Sequence, residues 1–355
     1  MPINKRKKTD SIETNWKAKQ DERDELMKAT NNKMDLFHYR SIFFAVGEAF
    51  RLRSEVMIEP EDIDQLEAQF IDGAFQGGLM YSDDGFTGHL YGYDANSKYP
   101  STMINKRFHF PVKKGKFSCI SQKEFDEYKF CSYGIYRCIV APSNDISKDM
   151  FFRFNDRGYY THIDLEVAKR LDLNITMCCD DEANILLYDR STLVQSHRVF
   201  SKFVNYFYKI KHSTPKTNIA KQIVSRLWGM MCQKSIRTKM FTNDKPKVLK
   251  ENEITVSIKP TPDRQAFEVS ISDTNKIFDS NYARIAPFLT ATARRDLYND
   301  FGGYGTHIKR IHTDGVMCTV PITTLIMGTD IGMYKQDKDG VYTLKNINRV
   351  LEGSE

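Results

Sequence analysis

The stretch that most constrains this chain is Phe86-Thr-Gly-His-Leu-Tyr-Gly-Tyr-Asp-Ala-Asn-Ser-Lys-Tyr-Pro-Ser101. Leu90, Tyr91 and Tyr93 flank Gly92 in a run with the composition of a buried strand, and the run ends on an acid, Asp94. Asn96-Ser97 breaks the strand and opens a short helix, with Pro100 tolerated in its first turn. A carboxylate at a strand end, followed by the N–H groups of a helix start, can hold a cation and an anion side by side. Metal-bound polyphosphate needs that arrangement. By spacing alone, an ordinary strand–turn–helix corner satisfies the same pattern.

The chain's 355 residues are enough for a sizeable core and two or three subdomains. A net charge of +6 permits a nucleic-acid partner without requiring one. Seven cysteines, an odd number with no C-x-x-C spacing and with Cys178 and Cys179 adjacent, fit neither a disulfide framework nor a zinc site. They point to a reducing, intracellular setting. No apolar run approaches membrane-spanning length and the N-terminus lacks a signal-peptide core, so neither a membrane nor secretion is expected.

Residues 1–35 are polar and charged. Lys5-Arg6-Lys7-Lys8 reads as a solvated terminus, or else as a nuclear signal or phosphate-binding arm. Leu36 to Arg53 has a helical period, with Phe37, Ile42, Phe43, Val46 and Phe50 on one face. Phe75-Gln76-Gly77-Gly78 precedes Leu79-Met-Tyr81, and Asp84-Gly85 signals a hairpin into the opening strand. Paired glycines allow close approach of the backbone to a ligand or another chain, although a plain loop would also carry them. Tyr136 to Val140 reads as a strand. Thr161 with Asp164 has the spacing of a capping box. Asp180-Asp181-Glu182 reads as a solvated loop.

Val199–Lys211 and Thr217–Cys232 are two amphipathic helices joined by Ser213-Thr-Pro215, hence a helical hairpin. A strand is expected around Phe267 to Ser272, and a helix over Asn281 to Asp300 carrying Arg284, Arg294 and Arg295. In Lys309-Arg-Ile-His-Thr-Asp-Gly-Val-Met-Cys318, one strand runs to Ile311, a tight turn holds His312 to Gly315, and a second strand leaves through Val316 and Met317.

Several of these stretches resemble motifs of family B DNA polymerases, above all the protein-primed branch of viruses, phages and linear plasmids. Asp94-Ala-Asn-Ser-Lys-Tyr-Pro-Ser101 is similar to the first polymerase motif, Asp-x-x-Ser-Leu-Tyr-Pro-Ser. Phe75-Gln-Gly-Gly78 resembles the Tyr-x-Gly-Gly element that contacts the template strand. Thr161 to Glu166 resembles a Thr-x-x-Asp-Leu-Glu segment of protein-primed enzymes. Lys221-Gln-Ile-Val-Ser-Arg-Leu-Trp-Gly229 resembles the second motif, Lys-x-x-x-Asn-Ser-x-Tyr-Gly, with Ser225 for Asn, Arg226 for Ser and Trp228 for Tyr. Ala283 to Arg295 resembles the helix before the third motif. Lys309 to Cys318 resembles that motif, Tyr-x-Asp-Thr-Asp-Ser: Asp314 matches its second acid, His312 replaces its first, and Gly315 replaces its Ser. Ile331 to Lys335 resembles the strand that continues the palm.

The resemblance implies an α+β fold: a palm of antiparallel sheet with helices on one face, plus fingers made of an α-helical hairpin. The thumb and exonuclease are expected to be missing or reduced. The implied organisation is an N-terminal segment 1–69, palm 70–198 with an insertion, fingers 199–233, palm 234–340 and a tail 341–355. Asp94 and Asp314 would be catalytic and, with the Ala95 carbonyl, would hold two Mg2+ ions, or Mn2+. Asn96, Ser97, Lys98, Tyr99, Lys221 and Ser225 would bind nucleotide, Lys211 and Lys216 being secondary candidates. Gln76, Gly77, Gly78, Trp228, Gly229 and Thr313 would meet DNA. The implied partners are a template-primer, deoxynucleoside triphosphates, a terminal priming protein, and a second polypeptide supplying thumb or exonuclease. Three activities compete: templated DNA synthesis, a non-catalytic DNA-binding scaffold derived from a polymerase, and a metal-dependent nuclease.

Overall fold

A computed structural model of the chain describes residues 12–39, 42–54, 58–213, 217–242, 249–262 and 266–353. Lys5 to Lys8, Thr214, Pro215 and Lys216 lie outside them, as does the side chain of Phe43. The chain divides into two compact units, Met1–Met57 with Arg198–Met230, and Ile58–His197 with Met231–Glu355.

The first unit is helical. Its helices span Ile12–Ala29, Ile42–Arg53, Ser196–Ser213 (within this unit from Arg198) and Ile219–Met231 (to Met230). Phe200, Phe203, Val204 and Phe207 are fully buried against residues such as Phe50, as their spacing requires. Each contributes about 1.5–3 kcal/mol by leaving water. The Leu36–Arg53 stretch is not one helix. Asp35 caps a short 3-10 turn at Leu36–His38, Tyr39 is extended, and the α-helix starts at Ile42. The polar, charged residues 12–29 form a helix that packs onto the unit. Leu26 is buried, and the Tyr206 hydroxyl donates to the Ala29 carbonyl at 2.6 Å. Arg53 lies over the same tyrosine ring at 3.9 Å.

The second unit is built on a six-stranded antiparallel sheet. Its order is Leu79–Ser82, Ile308–Thr313, Gly315–Cys318, Thr87–Ala95, Tyr334–Asn346, Arg349–Glu352. Alternation sorts its side chains. Tyr93, Ile311, Val316 and Cys318 enter the main core, which also takes Leu297 and Phe301 from the helix Ile285–Phe301. Leu90, Met317, Tyr342 and Leu344 form a small cluster of their own. A five-stranded sheet around Gly134–Ala141 shares the main core. Thr161 and Asp164 make the capping box that starts the helix His162–Arg170.

Three expectations need correction. Asp84-Gly85 does turn, with Gly85 at φ +91° and the Phe86 N–H donating to the Asp83 carbonyl, but it makes no hairpin. The strands on either side are separated by the Ile308–Thr313/Gly315–Cys318 pair, which comes from far along the chain. The strand expected at Phe267 to Ser272, by contrast, is present as Ala266–Asp273, the middle of a three-stranded sheet with Ile236–Thr242 and Glu253–Pro260. The strand expected from Ile331 starts at Tyr334, because Gly332 takes φ +83° in the turn before it. Asp180 and Glu182 are not merely solvated, since both pair with Arg137.

Candidate active site

The Thr87–Ala95 strand carries Asp94 to its end, and the register sets Gly315 opposite it. Asp314 thus sits at the tip of the neighbouring hairpin, beside Asp94. The Ala95 N–H donates to the Asp314 carbonyl at 3.3 Å, which locks the two strand ends together. Thr313 and Asp314 form a two-residue turn closed by His312 and Gly315. Thr313 takes φ +57°, a conformation that a β-branched residue adopts only under constraint. Its hydroxyl donates to Asp314 Oδ1 at 2.8 Å.

Gly78 explains part of that constraint. A Cβ there would lie 2.9 Å from the Thr313 Cα, so only glycine lets the loop pack on the turn. Gly77 faces open space. The loop is anchored from behind by Arg294, which donates to the Gln76 and Gly77 carbonyls at 3.1 and 2.7 Å. Arg294 also pairs with the buried Asp164 at 2.8 Å. Arg294 was legible as a cation on a helix. Its role as an anchor depends on tertiary contacts that no local pattern carries.

Burial pushes the Asp314 carboxyl above the usual carboxylate range; the Thr313 hydroxyl opposes that shift and the Asp94 charge adds to it. Two anions are thus held close at some cost, which a shared cation would relieve. A small cavity of about 100 Å³ lies here, lined by both acids together with Asp337, His312, Arg310 and Lys338. Among the described residues, no group of three or more His, Cys, Asp or Glu side chains forms a metal cage. The pair therefore suits a hard cation that keeps water and phosphate oxygens as its other ligands.

One neighbour of the pair is not legible in the sequence. Lys335 faces Asp94 across the sheet, and its Nζ lies 3.1 Å from Asp94 Oδ2. The hydrogen bond to Asp94 raises the Lys335 pKa. Only the strand register reveals this pair.

The remaining candidates fall into three groups. Tyr99 sits on the short helix Lys98–Met103; burial raises its hydroxyl pKa, with the Arg294 and Asp314 charges also acting on it. Asn96 does not offer its N–H to a phosphate, because that N–H is bonded to the Met333 carbonyl at 2.8 Å. Its side-chain amide donates to the Gly328 carbonyl at 2.9 Å. Ser97 is left-handed, with φ +57°, and Lys98 reaches to within 3.8 Å of Asp296. In the helical unit, Lys221 and Ser225 are exposed and Trp228 and Gly229 half-exposed, on the face opposite the buried Ile219, Ile223 and Leu227. Lys211 lies over the Tyr208 ring at 4.9 Å.

Comparison with known proteins places this geometry. The solved structure of phi29 DNA polymerase complexed with single-stranded DNA matches with a TM-score of 0.61 at 14% identity, over 93% of this chain and 59% of that one. The ternary complex of phi29 DNA polymerase with primer-template DNA and incoming nucleotide substrates matches at 0.58 and 15%, over 93% and 59%. The chain thus spans 59% of the length of those polymerases. No curated protein matches the sequence. The likeness defines the class of fold: an α+β polymerase architecture around a curled antiparallel sheet. The chain belongs to the DNA polymerase type B family, organellar and viral, whose model matches residues 24–300. Among the described residues, no helix is long and apolar enough to cross a membrane.

Proposed function

We propose that the chain catalyses templated deoxynucleotidyl transfer to a primer 3′-hydroxyl or to a priming protein. The observation that supports this reading is the pair Asp94 and Asp314, one at a strand end and the other in the adjoining turn, two like charges side by side. Bound there, two Mg2+ ions, or Mn2+, would activate the attacking hydroxyl and neutralise the leaving pyrophosphate. The chain's own residues would do the rest. Asp94, Asp314 and the Ala95 carbonyl hold the site. Gly78 and Thr313 fix the turn that aims Asp314. Tyr99 lies under the incoming sugar and excludes a ribose 2′-hydroxyl. Lys221 and Lys211 offset triphosphate charge. Ser225, Trp228 and Gly229 line the nascent base pair, and Gln76 to Gly78 meet the template. Partners in this reading are a template-primer, deoxynucleoside triphosphates, a terminal protein and a second polypeptide supplying further domains, in an intracellular setting.

A second reading, a DNA-binding scaffold without catalysis, draws on two observations. His312 stands where the family motif has an acid, and Lys335 occupies the Asp94 carboxylate. Primer extension with magnesium and labelled deoxynucleotides separates the two. Extension by the wild-type chain that falls about 10³-fold or more in Asp314→Ala supports catalysis. DNA binding without extension supports the scaffold, and primer degradation in the absence of nucleotides supports a nuclease.

A further inference from the structure

A second and larger cavity, about 700 Å³, opens on the sheet-bearing unit away from the paired acids, neither of which lines it. Its lining is rich in donors. Arg107, Arg190 and Arg295 all contribute. The Arg107 and Arg190 side chains are exposed and make no ion pair among the described residues. The one acid in the lining, Asp296, is already engaged by Arg295 at 3.1 Å and approached by Lys98 at 3.8 Å. Burial raises the pKa of the nearby Glu166, against the pull of the Arg295 and Arg190 charges.

The inner wall is aromatic, built from rings tilted by 36–43° against one another. His162, 8% exposed, lies 4.3 Å from the Tyr133 ring, and Tyr133 packs on Phe288 at 4.6 Å. His162 Nδ1 accepts from the Gly134 N–H at 3.4 Å, which leaves the proton on Nε2. Burial, together with the nearby Arg190 and Arg295 charges, pulls its pKa down to about 3, so the ring is a neutral donor. A cavity lined by guanidinium donors and an aromatic wall suits an anion that also carries a ring. Guanidinium forks match phosphate oxygens in pairs. The volume is far larger than inorganic phosphate needs and lies in the range of small-molecule sites.

We propose that this cavity binds the phosphate ester of a nucleotide, with Arg107 and Arg190 on the phosphate and the Tyr133–His162 wall against the sugar and base. The nucleotide is either one link of a single strand or a free monophosphate. The site is separate from the proposed catalytic pair, so the two stand or fall independently.

Fluorescence anisotropy of a labelled oligothymidylate on the full chain tests it, with thymidine 5′-monophosphate as competitor. In Arg107→Ala/Arg190→Ala, strand binding is expected to weaken about tenfold, and the slope of log K against log salt to fall by about 1.4, or two phosphate contacts. Arg107→Lys/Arg190→Lys keeps the charges, so it should retain the slope while losing part of the affinity. It also controls for folding. Asp314→Ala should leave the cavity's contribution intact. A slope change without competition by the monophosphate assigns the site to strand phosphates. Competition in wild type that is lost in the double alanine variant assigns it to free nucleotide. Equal affinity, slope and competition in wild type and variant would overturn the proposal, as would a wild-type chain that binds neither probe.

Discussion

Asp164 and Asp314 sit on the same unit, and both are largely withdrawn from water, yet their surroundings are opposite. Asp164 accepts from the Thr161 N–H at 3.1 Å, the Thr161 hydroxyl at 2.8 Å and the Arg294 guanidinium at 2.8 Å. Asp314 accepts the Thr313 hydroxyl and faces a second carboxylate, Asp94. The fold surrounds the first acid with donors of its own and sets a like charge beside the second. A carboxylate used for structure is surrounded by donors; under the proposed function, one kept for chemistry is left short of them.

Breaking the satisfied side should cost the most. Arg294→Met leaves Asp164 buried without its cation and takes the donor from the Gln76 and Gly77 carbonyls. A loss of about 3–5 kcal/mol in unfolding free energy is expected, read as a lower denaturant midpoint at unchanged slope. Extension should fall as well, because the loop that packs Gly78 on Thr313 loses its anchor. A variant as stable as wild type would mean that the pair is only a solvated contact.

His162 is a third kind of buried group, kept neutral mainly by burial. Its folded pKa of about 3 lies below the ordinary 6.5. The unfolded chain therefore takes up the proton first as pH falls. The stabilisation is complete above about pH 6.5 and drains away between there and pH 3, with about 2 kcal/mol gone by pH 5. His162→Gln should flatten the dependence of the melting temperature on pH across that window, whatever it does to stability at neutral pH. An unchanged slope would place the ring in water.

Local chemistry made much of this legible in the sequence. The strand into Asp94, the turn at Asn96-Ser97, the Thr161–Asp164 box and the phenylalanine stripe of the Ser196–Ser213 helix all follow from neighbours within a few residues. Pairing was not legible. The Asp84-Gly85 turn looks like a hairpin because its residues are those of a hairpin turn, and only the insertion of two strands from beyond residue 307 shows otherwise. The Ile12–Ala29 helix is charge-rich, and it is held by Tyr206 from a distant helix. Lys335 reaches Asp94 through register alone.

That ion pair is the next test. The Lys335 ammonium fills, at 3.1 Å, part of the space a cation would take. Both side chains are substantially exposed, so the pair itself is weak. Lys335→Ala should leave the two acids facing each other unscreened and tighten Mn2+ binding by about threefold, measured as free Mn2+ by electron paramagnetic resonance. Weaker binding in the variant would show that Lys335 orders the site rather than competes for it.

The smallest effect bears most directly on the comparison. Asp314 holds its proton more tightly in the folded chain than in the unfolded one, because burial and the Asp94 charge both disfavour the anion. Ionising it therefore subtracts from stability. The subtraction begins as pH rises past the ordinary carboxylate value, and it is complete above the raised one. Asp314→Asn keeps the shape and can still accept the Thr313 hydroxyl, but it carries no charge. At neutral pH it should melt about 2 °C higher than wild type. The gain should vanish below about pH 4, where Asp314 is itself neutral. Asp164→Asn should melt lower than wild type at neutral pH, since there the charge is what Arg294 pairs with. If Asp314→Asn melts lower than wild type at neutral pH, the anion is stabilised by groups within the fold and the contrast between the two acids fails.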